Sequence, residues 1–373
     1  MEKVGMGLIG CGGMGRKVAK LLLKESPRIE VRGIFDPDKR AIQLALDNVS
    51  PSSEVYPDFK SLCRAPDVDW VMIASWNSFH KEHAVAALNA GKHVFCQKPL
   101  ATTFNDTLAM QRAWERSGNL FTIGYSMRYM PHYRKIRELL DQGAIGKIVS
   151  FEFNETIAFG HGAAIMGNWR RLRRNSGGHL LEKCCHDIDM ANWMVGSLPG
   201  RVASFGGLDF FIPANRKKYT KHVRRIPGRK YMNPFTSDKD VIDNQVAIIE
   251  YANGVRATFH ASMNAEIRER RLYLCGTEGA IRADIKSGSI ETCRLGSGWK
   301  IEKVSATAEG SHGGGDSILA QELARSMLEG IQPTAGFLDG LISATTCFAI
   351  DKAMETGRVV SLAPYWKRAG ITD

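Results

Sequence analysis

Short apolar runs separated by amphipathic stretches organise the first 124 positions. Val4–Ile9, Ile29–Phe35, 70–74, 93–95 and 120–124 are apolar, bounded by polar and turn-forming residues, and read as strands. Between them, 16–24, 38–47, 80–90 and 106–117 carry apolar residues at helical spacing. This alternation predicts parallel strands joined by helical crossovers, with both sheet faces covered. Ligands of such sheets bind beyond the carboxyl ends of the strands, where residues 10–15, 36, 75–77 and 97–99 fall.

The texture then changes. Residues 147–157, 201–211, 245–251, 255–262, 271–275 and 280–285 read as strands joined by short turns, and Asn253-Gly254 reads as a type I′ hairpin turn. Neighbouring strands without intervening helices predict a largely antiparallel sheet. Two helices follow at 314–329 and 337–356, the second with Phe337, Leu341, Ala344 and Phe348 on one face. At 373 residues the chain is long for one core. The expected fold class is α/β: a doubly wound parallel sheet over 1–124, then an α+β domain over 125–373 with a large, mainly antiparallel open sheet.

Composition narrows the setting. Apolar residues make up 44%, enough for ordinary globular folding, and no apolar run reaches membrane-spanning length. The first strand begins at Val4, which leaves no room for a secretory leader. Eight cysteines include no C-x-x-C pair, which suits a reducing compartment, so the expected location is cytoplasmic. The formal charge of +11 is concentrated. Eight cations lie in 215–230 (Arg216, Lys217, Lys218, Lys221, Arg224, Arg225, Arg229, Lys230), and Arg170, Arg171, Arg173 and Arg174 add four. Removing these twelve turns +11 into −1. Such a run is a solvated loop, a steering field for an anionic small substrate, or a macromolecular contact. No nucleic-acid module accompanies it, so neither nucleic acid nor membrane is an expected partner.

The most specific chemistry is at the first strand end. Gly10, Gly12, Gly13, Met14 and Gly15 form a G-x-G-x-x-G loop between a strand and a helix. The first glycine makes the tight turn, the second lets backbone approach a pyrophosphate, and the third lets helix and strand pack closely. The helix N-terminus then offers free N–H groups to phosphate. Asp36, closing the second strand, is placed to accept from ribose hydroxyls and repel a 2′-phosphate, favouring NAD. Lys39 and Arg40 leave NADP as the alternative, and Asp36 has a blander reading as the start of a turn. Ser75, Asn77, His80 and Gln97, at the next strand ends, complete the candidate cofactor contacts with Arg40 and Lys98.

Lys98 precedes a proline at a strand end, so its backbone is held out of helix. There its ammonium is placed to hydrogen-bond a reacting hydroxyl and lower that hydroxyl's pKa. Glu182 and His186 lie four apart in the helix-like stretch 179–195 and share a face. A carboxylate beside an imidazole orients it and stabilises its protonated form; the alternative is a helix-surface ion pair or a core histidine. Asp187 and Asp189 are structural or bind a sugar hydroxyl. The histidines lack a third partner at ligand spacing, so no metal site is expected.

Taken in order, several elements resemble the Gfo/Idh/MocA oxidoreductase family across nearly the whole chain. They are the glycine loop, Asp36, residues 91–100, Gly124-Tyr125 with Arg128-Tyr129 and Pro131, Trp169-Arg170 with Gly177-Gly178, and Glu182 with His186. His312-Gly313-Gly314-Gly315-Asp316 and Gly357-Arg358-Val359-Val360 extend the likeness to the end. The resemblance implies a two-domain NAD(P)-dependent enzyme acting on sugars, polyols or their derivatives, with a Rossmann domain first. It maps a catalytic lysine to Lys98 and a carboxylate–histidine pair to Glu182 and His186. Gln97 stands where the family has glutamate, and Glu182 where it has aspartate. The implied mechanism has His186 removing the proton of a carbinol while Lys98 stabilises charge on the same oxygen and Glu182 supports the base. Arg128, Tyr129, Trp169, Arg170 and Asp187 are the candidates for substrate contacts. An alternative is a redox-neutral glycosidase, in which transient oxidation permits elimination, water addition and re-reduction, for example on a sulfonated or other acidic glycoside. A third reading is a cofactor-binding sensor without turnover. By resemblance, the chain forms a homodimer or homotetramer.

Overall fold

The computed structural model describes residues 3–223, 231–306 and 313–372. Arg224, Arg225, Arg229 and Lys230 of the basic run, and His312, lie outside the described residues. Two compact units emerge: Met1–Met130 with Glu309–Leu341, and Pro131–Ala308 with Ile342–Asp373. The chain returns late to its first unit. The returning helix, Gly315–Glu329, packs on helix Gly13–Glu25, and Lys17 ion-pairs with Asp316.

The first unit is built on six parallel strands: β1 (Val4–Ile9), β2 (Ile29–Phe35), β3 (Glu54–Val55), β4 (Trp70–Ile73), β5 (His93–Cys96) and β6 (Phe121–Ile123). Their order is β3-β2-β1-β4-β5-β6, a Rossmann arrangement whose direction of winding reverses between β1 and β4. β4 is buried along its whole length because helices cover both faces, which is why its sequence is uniformly apolar. β3 escaped the pattern because it is two residues long and exposed. Asp38, Asp58 and Thr103 cap the following helices by accepting from Arg40, Ser61 and Asp106 backbone N–H groups.

The second unit carries nine strands: β7 (Ile148–Ala158), β8 (Pro199–Gly207), β9 (Asn244–Tyr251), β10 (Arg256–Ala265), β11 (Arg271–Gly276), β12 (Gly279–Asp284), β13 (Ser289–Arg294), β14 (Glu302–Val304) and β15 (Val360–Ser361). Their order is β14-β13-β12-β11-β7-β10-β9-β8-β15. β7 and β10 run parallel, and every other neighbouring pair is antiparallel. β9 shows the period of two directly: Gln245, Ala247, Ile249 and Tyr251 are buried, while Val246 and Ile248 face outward. With Phe205 and Tyr273 these leave one sheet face partly apolar and exposed.

Two expectations are corrected here. The β9–β10 turn is not type I′. Among the described residues the sole non-glycine with positive φ is Trp299, so Asn253 does not take the conformation that turn requires. Instead Gly254 N–H donates to the Tyr251 carbonyl and Gly254 sits at φ 85°, the pattern of a three-residue loop ending in a left-handed glycine. The stretch 179–195 is not one regular α-helix either. Leu180–Cys184 is a π-turn, and α-helix resumes at Cys185–Val195. Gly177 and Gly178, at φ 84° and 105°, make the sharp entry to it.

Candidate functional site

The glycine loop has the shape a pyrophosphate needs. Gly10 is at φ 94°, and a Cβ there would sit 2.5 Å from the Ala74 carbonyl carbon and the Ser75 nitrogen. A Cβ on Gly15 would sit 2.2 Å from the Gly10 carbonyl oxygen, so only glycine lets the helix start against the loop. Gly12 has open space around it, and Gly12, Gly13 and Met14 form an exposed rim. Helix Gly13–Glu25 has no side-chain cap, which leaves its first N–H groups and positive dipole end directed at that rim. Asp36 accepts from the Cys11 N–H at 2.8 Å and the Asp38 N–H at 2.8 Å, so its carboxylate is fixed beside the loop with oxygen lone pairs left over. Arg40 is exposed just beyond it. These residues fit a dinucleotide. Gly10 and Gly15 would give the close approach, the helix N-terminus would meet the phosphates, and Asp36 would meet the ribose.

The ends of β4 and β5 are tied together by a histidine. His80 is fully buried, with Nδ1 2.8 Å from the Pro99 carbonyl and Nε2 3.2 Å from the Ser75 carbonyl. Burial lowers its pKa, against the pull of the two carbonyls and with the help of the Lys98 charge, so the ring stays neutral at neutral pH. His80 therefore braces the two loops rather than presenting a polar edge to a cofactor, which corrects its expected role. The Ser75 hydroxyl lies 3.0 Å from Nδ1 of His83, whose ring stacks on Phe79. Asn77 is buried at the first residue of the 3₁₀ turn Asn77–Phe79. Gln97 lies against Gly124, where a Cβ would come 2.8 Å from its Oε1, and Lys98 follows it half-buried.

Two expected substrate contacts are interior residues of the first unit. Arg128 is 5% exposed, ion-pairs with Asp339 at 2.8 Å and donates to the Thr334 carbonyl at 3.3 Å. Its neighbour Tyr129 is 1% exposed. Both belong to the packing of the turn Ser126–Tyr129, because a guanidinium with a carboxylate and a carbonyl in place is already satisfied.

In the second unit the π-turn places Glu182 against Arg170, whose Nε donates to Oε1 at 2.8 Å. The Arg170 guanidinium stacks over the Trp169 ring at 4.4 Å, and Asn168 caps the turn by accepting from Arg170 N–H. His186 is buried on the first turn of the following helix. Asp187 does not face a sugar. Both of its oxygens accept from Arg270, at 2.7 and 2.8 Å, in a buried bidentate pair. Arg270 also meets Glu155 at 2.5 Å, and Glu155 meets Lys183 at 3.1 Å. Burial alone would raise the Glu155 carboxyl, but Arg270 and Lys183 outweigh it and bring it down to about 2.

The arginine run is largely neutralised. Arg170 pairs with Glu182, Arg171 with Asp238, and Arg173 with Asp351 and Glu355. Sequence inspection missed Glu155, Lys183, Arg270 and the acids Asp238 and Asp351, because each finds its partner far along the chain. Among the described residues, no three or more His, Cys, Asp or Glu side chains are grouped to hold a metal ion. No described helix is long and apolar enough to cross a membrane.

Residues 4–125 match the family model described as the oxidoreductase family, NAD-binding Rossmann fold. Residues 137–362 match the model of the same family's C-terminal alpha/beta domain. The chain belongs to the Gfo/Idh/MocA oxidoreductase family. It is an oxidoreductase with NAD as its cofactor. Levoglucosan dehydrogenase of Pseudarthrobacter phenanthrenivorans is 28% identical over 304 residues, covering 75% of this chain and 73% of that one. The 2,7-anhydro-N-acetylneuraminate hydratase of Mediterraneibacter gnavus is 27% identical over 294 residues, covering 76% and 68%. A solved levoglucosan dehydrogenase complex with NADH and levoglucosan superposes with a TM-score of 0.81 at 22% identity, over 97% of this chain and 100% of that one, and shows the fold.

Proposed function

We propose that this family member oxidises a secondary hydroxyl of a sugar, polyol or glycoside. The observation that carries the reading is the first unit's combination of a loop shaped for a dinucleotide with Lys98 at a neighbouring strand end, braced by His80. Bound NAD supplies the hydride acceptor. Lys98 donates a hydrogen bond to the substrate oxygen and stabilises its developing negative charge. His186 takes the hydroxyl proton. Trp169 offers an aromatic face and Arg170 a donor to the sugar, and Glu182 holds Arg170 in place. Similarity to levoglucosan and inositol dehydrogenases supports the substrate class.

A second reading is favoured by one observation, the similarity to hydratases of 2,7-anhydro-N-acetylneuraminate. Oxidation of a ring carbon acidifies the neighbouring C–H. Loss of that proton expels the leaving group, water adds to the resulting alkene, and the carbonyl is reduced again, so no net redox change results. Incubation with NAD and a panel of levoglucosan, myo-inositol and neutral and sulfated aryl glycosides separates the two. Accumulating NADH marks a dehydrogenase, and aglycone release without NADH marks the redox-neutral route. An acidic substituent on the sugar draws support from Arg216, Lys217, Lys218 and Lys221, for which no ion pair is seen among the described residues, whereas Arg170, Arg171 and Arg173 are paired. The exposed apolar residues Phe205, Val246 and Ile248 suit association with a second copy, which sedimentation would measure.

A further inference from the structure

β8 and β9 are antiparallel neighbours, a pairing that a turn of two to five residues closes. Here residues 208–243 intervene instead, and the anchors lie in the described stretches 208–223 and 231–243. We propose that this inserted segment is a specificity element, which acts by holding the turn Trp169–Arg171 in place. The proposal rests on the reading that Trp169 and Arg170 face the sugar.

The segment is anchored at its own base. Asp243 accepts from the N–H groups of Asp209, Phe210 and Phe211, at 3.1, 2.8 and 2.8 Å. Phe211 and Phe235 are fully buried and share a small core with Ala163, Ile165 and Met166 of the helix Phe159–Gly167. That helix leads directly into the turn.

The far side of the segment then grips the turn itself. Met232 N–H donates to the Gly167 carbonyl at 2.9 Å, and the Ser237 hydroxyl donates to the Met166 carbonyl at 2.6 Å. Arg171 Nε donates to Asp238 at 2.8 Å. Asp240 closes both directions, its N–H donating to the Arg171 carbonyl at 3.1 Å and its carboxylate accepting the Arg173 N–H at 2.6 Å. Arg170, between these anchors, is the residue that reaches Glu182. A turn of three residues has few internal bonds to fix it, so its orientation follows the external ones. Asp238 and Asp240 are thus positioning residues, acting through Arg171 and Arg173 on Trp169 and Arg170.

The test is the double variant Asp238→Ala/Asp240→Ala, beside Asp240→Asn, which keeps an acceptor oxygen for Arg173 N–H. Both acids are exposed, so the variants are expected to fold with an unchanged melting temperature. In the NAD-loaded enzyme, amides 168–176 of the double variant should exchange hydrogen about tenfold faster while β1–β6 exchange as before. KM for the best sugar of the panel should rise about tenfold with kcat within about threefold, and Asp240→Asn should stay near wild type. Unchanged exchange at 168–176 overturns the proposal, and so does faster exchange with an unchanged KM. If no sugar reacts, the proposed oxidation of a sugar hydroxyl fails, while the exchange measurement still decides whether the segment holds the turn.

Discussion

Replacing His80 by alanine removes a side chain that spans the loops after β4 and β5. The ring is fully buried and both nitrogens face backbone carbonyls, Pro99 at 2.8 Å and Ser75 at 3.2 Å. A neutral imidazole has a single N–H, and the shorter contact marks Pro99 as its acceptor. Truncation loses that hydrogen bond, worth about 1 kcal/mol net, and leaves a carbonyl dry at about 1–3 kcal/mol. The vacated ring volume adds a cavity cost of about 2–3 kcal/mol. These contributions overlap, so the expected loss of stability is about 3–5 kcal/mol, read from urea unfolding at neutral pH. Lys98 sits on the released loop, so kcat should fall at least about tenfold. His80→Asn, whose amide reaches the Pro99 carbonyl, should recover roughly half of the stability. A loss below about 1 kcal/mol, or an asparagine variant no better than the alanine one, would refute the bracing role.

Further outcomes follow from the same geometry. Gly15→Ala forces a Cβ to within 2.2 Å of the Gly10 carbonyl, so NAD affinity measured by calorimetry should drop by about 100-fold or more. Burial pushes His83, His132 and His179 down to about 4 from an ordinary 6.5. A depressed histidine leaves the unfolded chain binding more protons between those values, so its stabilisation is full above pH 6.5 and is lost as pH falls toward 4. At pH 5 each should have lost about 2 kcal/mol, and unfolding midpoints measured from pH 7 to 4.5 should fall steeply. A flat profile would contradict the neutral burial of these rings. Asp187→Asn weakens the bidentate hold on Arg270 and should cost about 3 kcal/mol, read from urea unfolding.

Much of the fold was legible because burial on both faces demands continuous apolar runs. β1, β2, β4, β5 and β6 were found that way, and the glycine loop was readable because backbone approach admits no side chain there. Strand-like runs linked by short turns revealed β7 to β12, whereas β3 and β15, two residues each, are too short to register. The π-turn at Leu180–Cys184 was invisible, since one added residue per turn changes neither composition nor apolar content. Arg128 and Asp187 illustrate the harder limit. A polar residue reads alike whether it meets a ligand or a distant partner, and Asp339 and Arg270 become neighbours only through the fold. The basic stretch at 170–174 misled for the same reason, its counter-charges being supplied by Asp238 and Asp351.

Rapid mixing of the NAD-loaded enzyme with the sugar panel, followed by NADH absorbance, tests the central claim most directly. At least one sugar should produce an NADH signal, lasting for a dehydrogenase or transient for the redox-neutral route. In Lys98→Ala that signal should slow by about 100- to 1,000-fold while NAD affinity is retained. An NADH signal absent with every sugar, or equally fast in Lys98→Ala, would contradict the account.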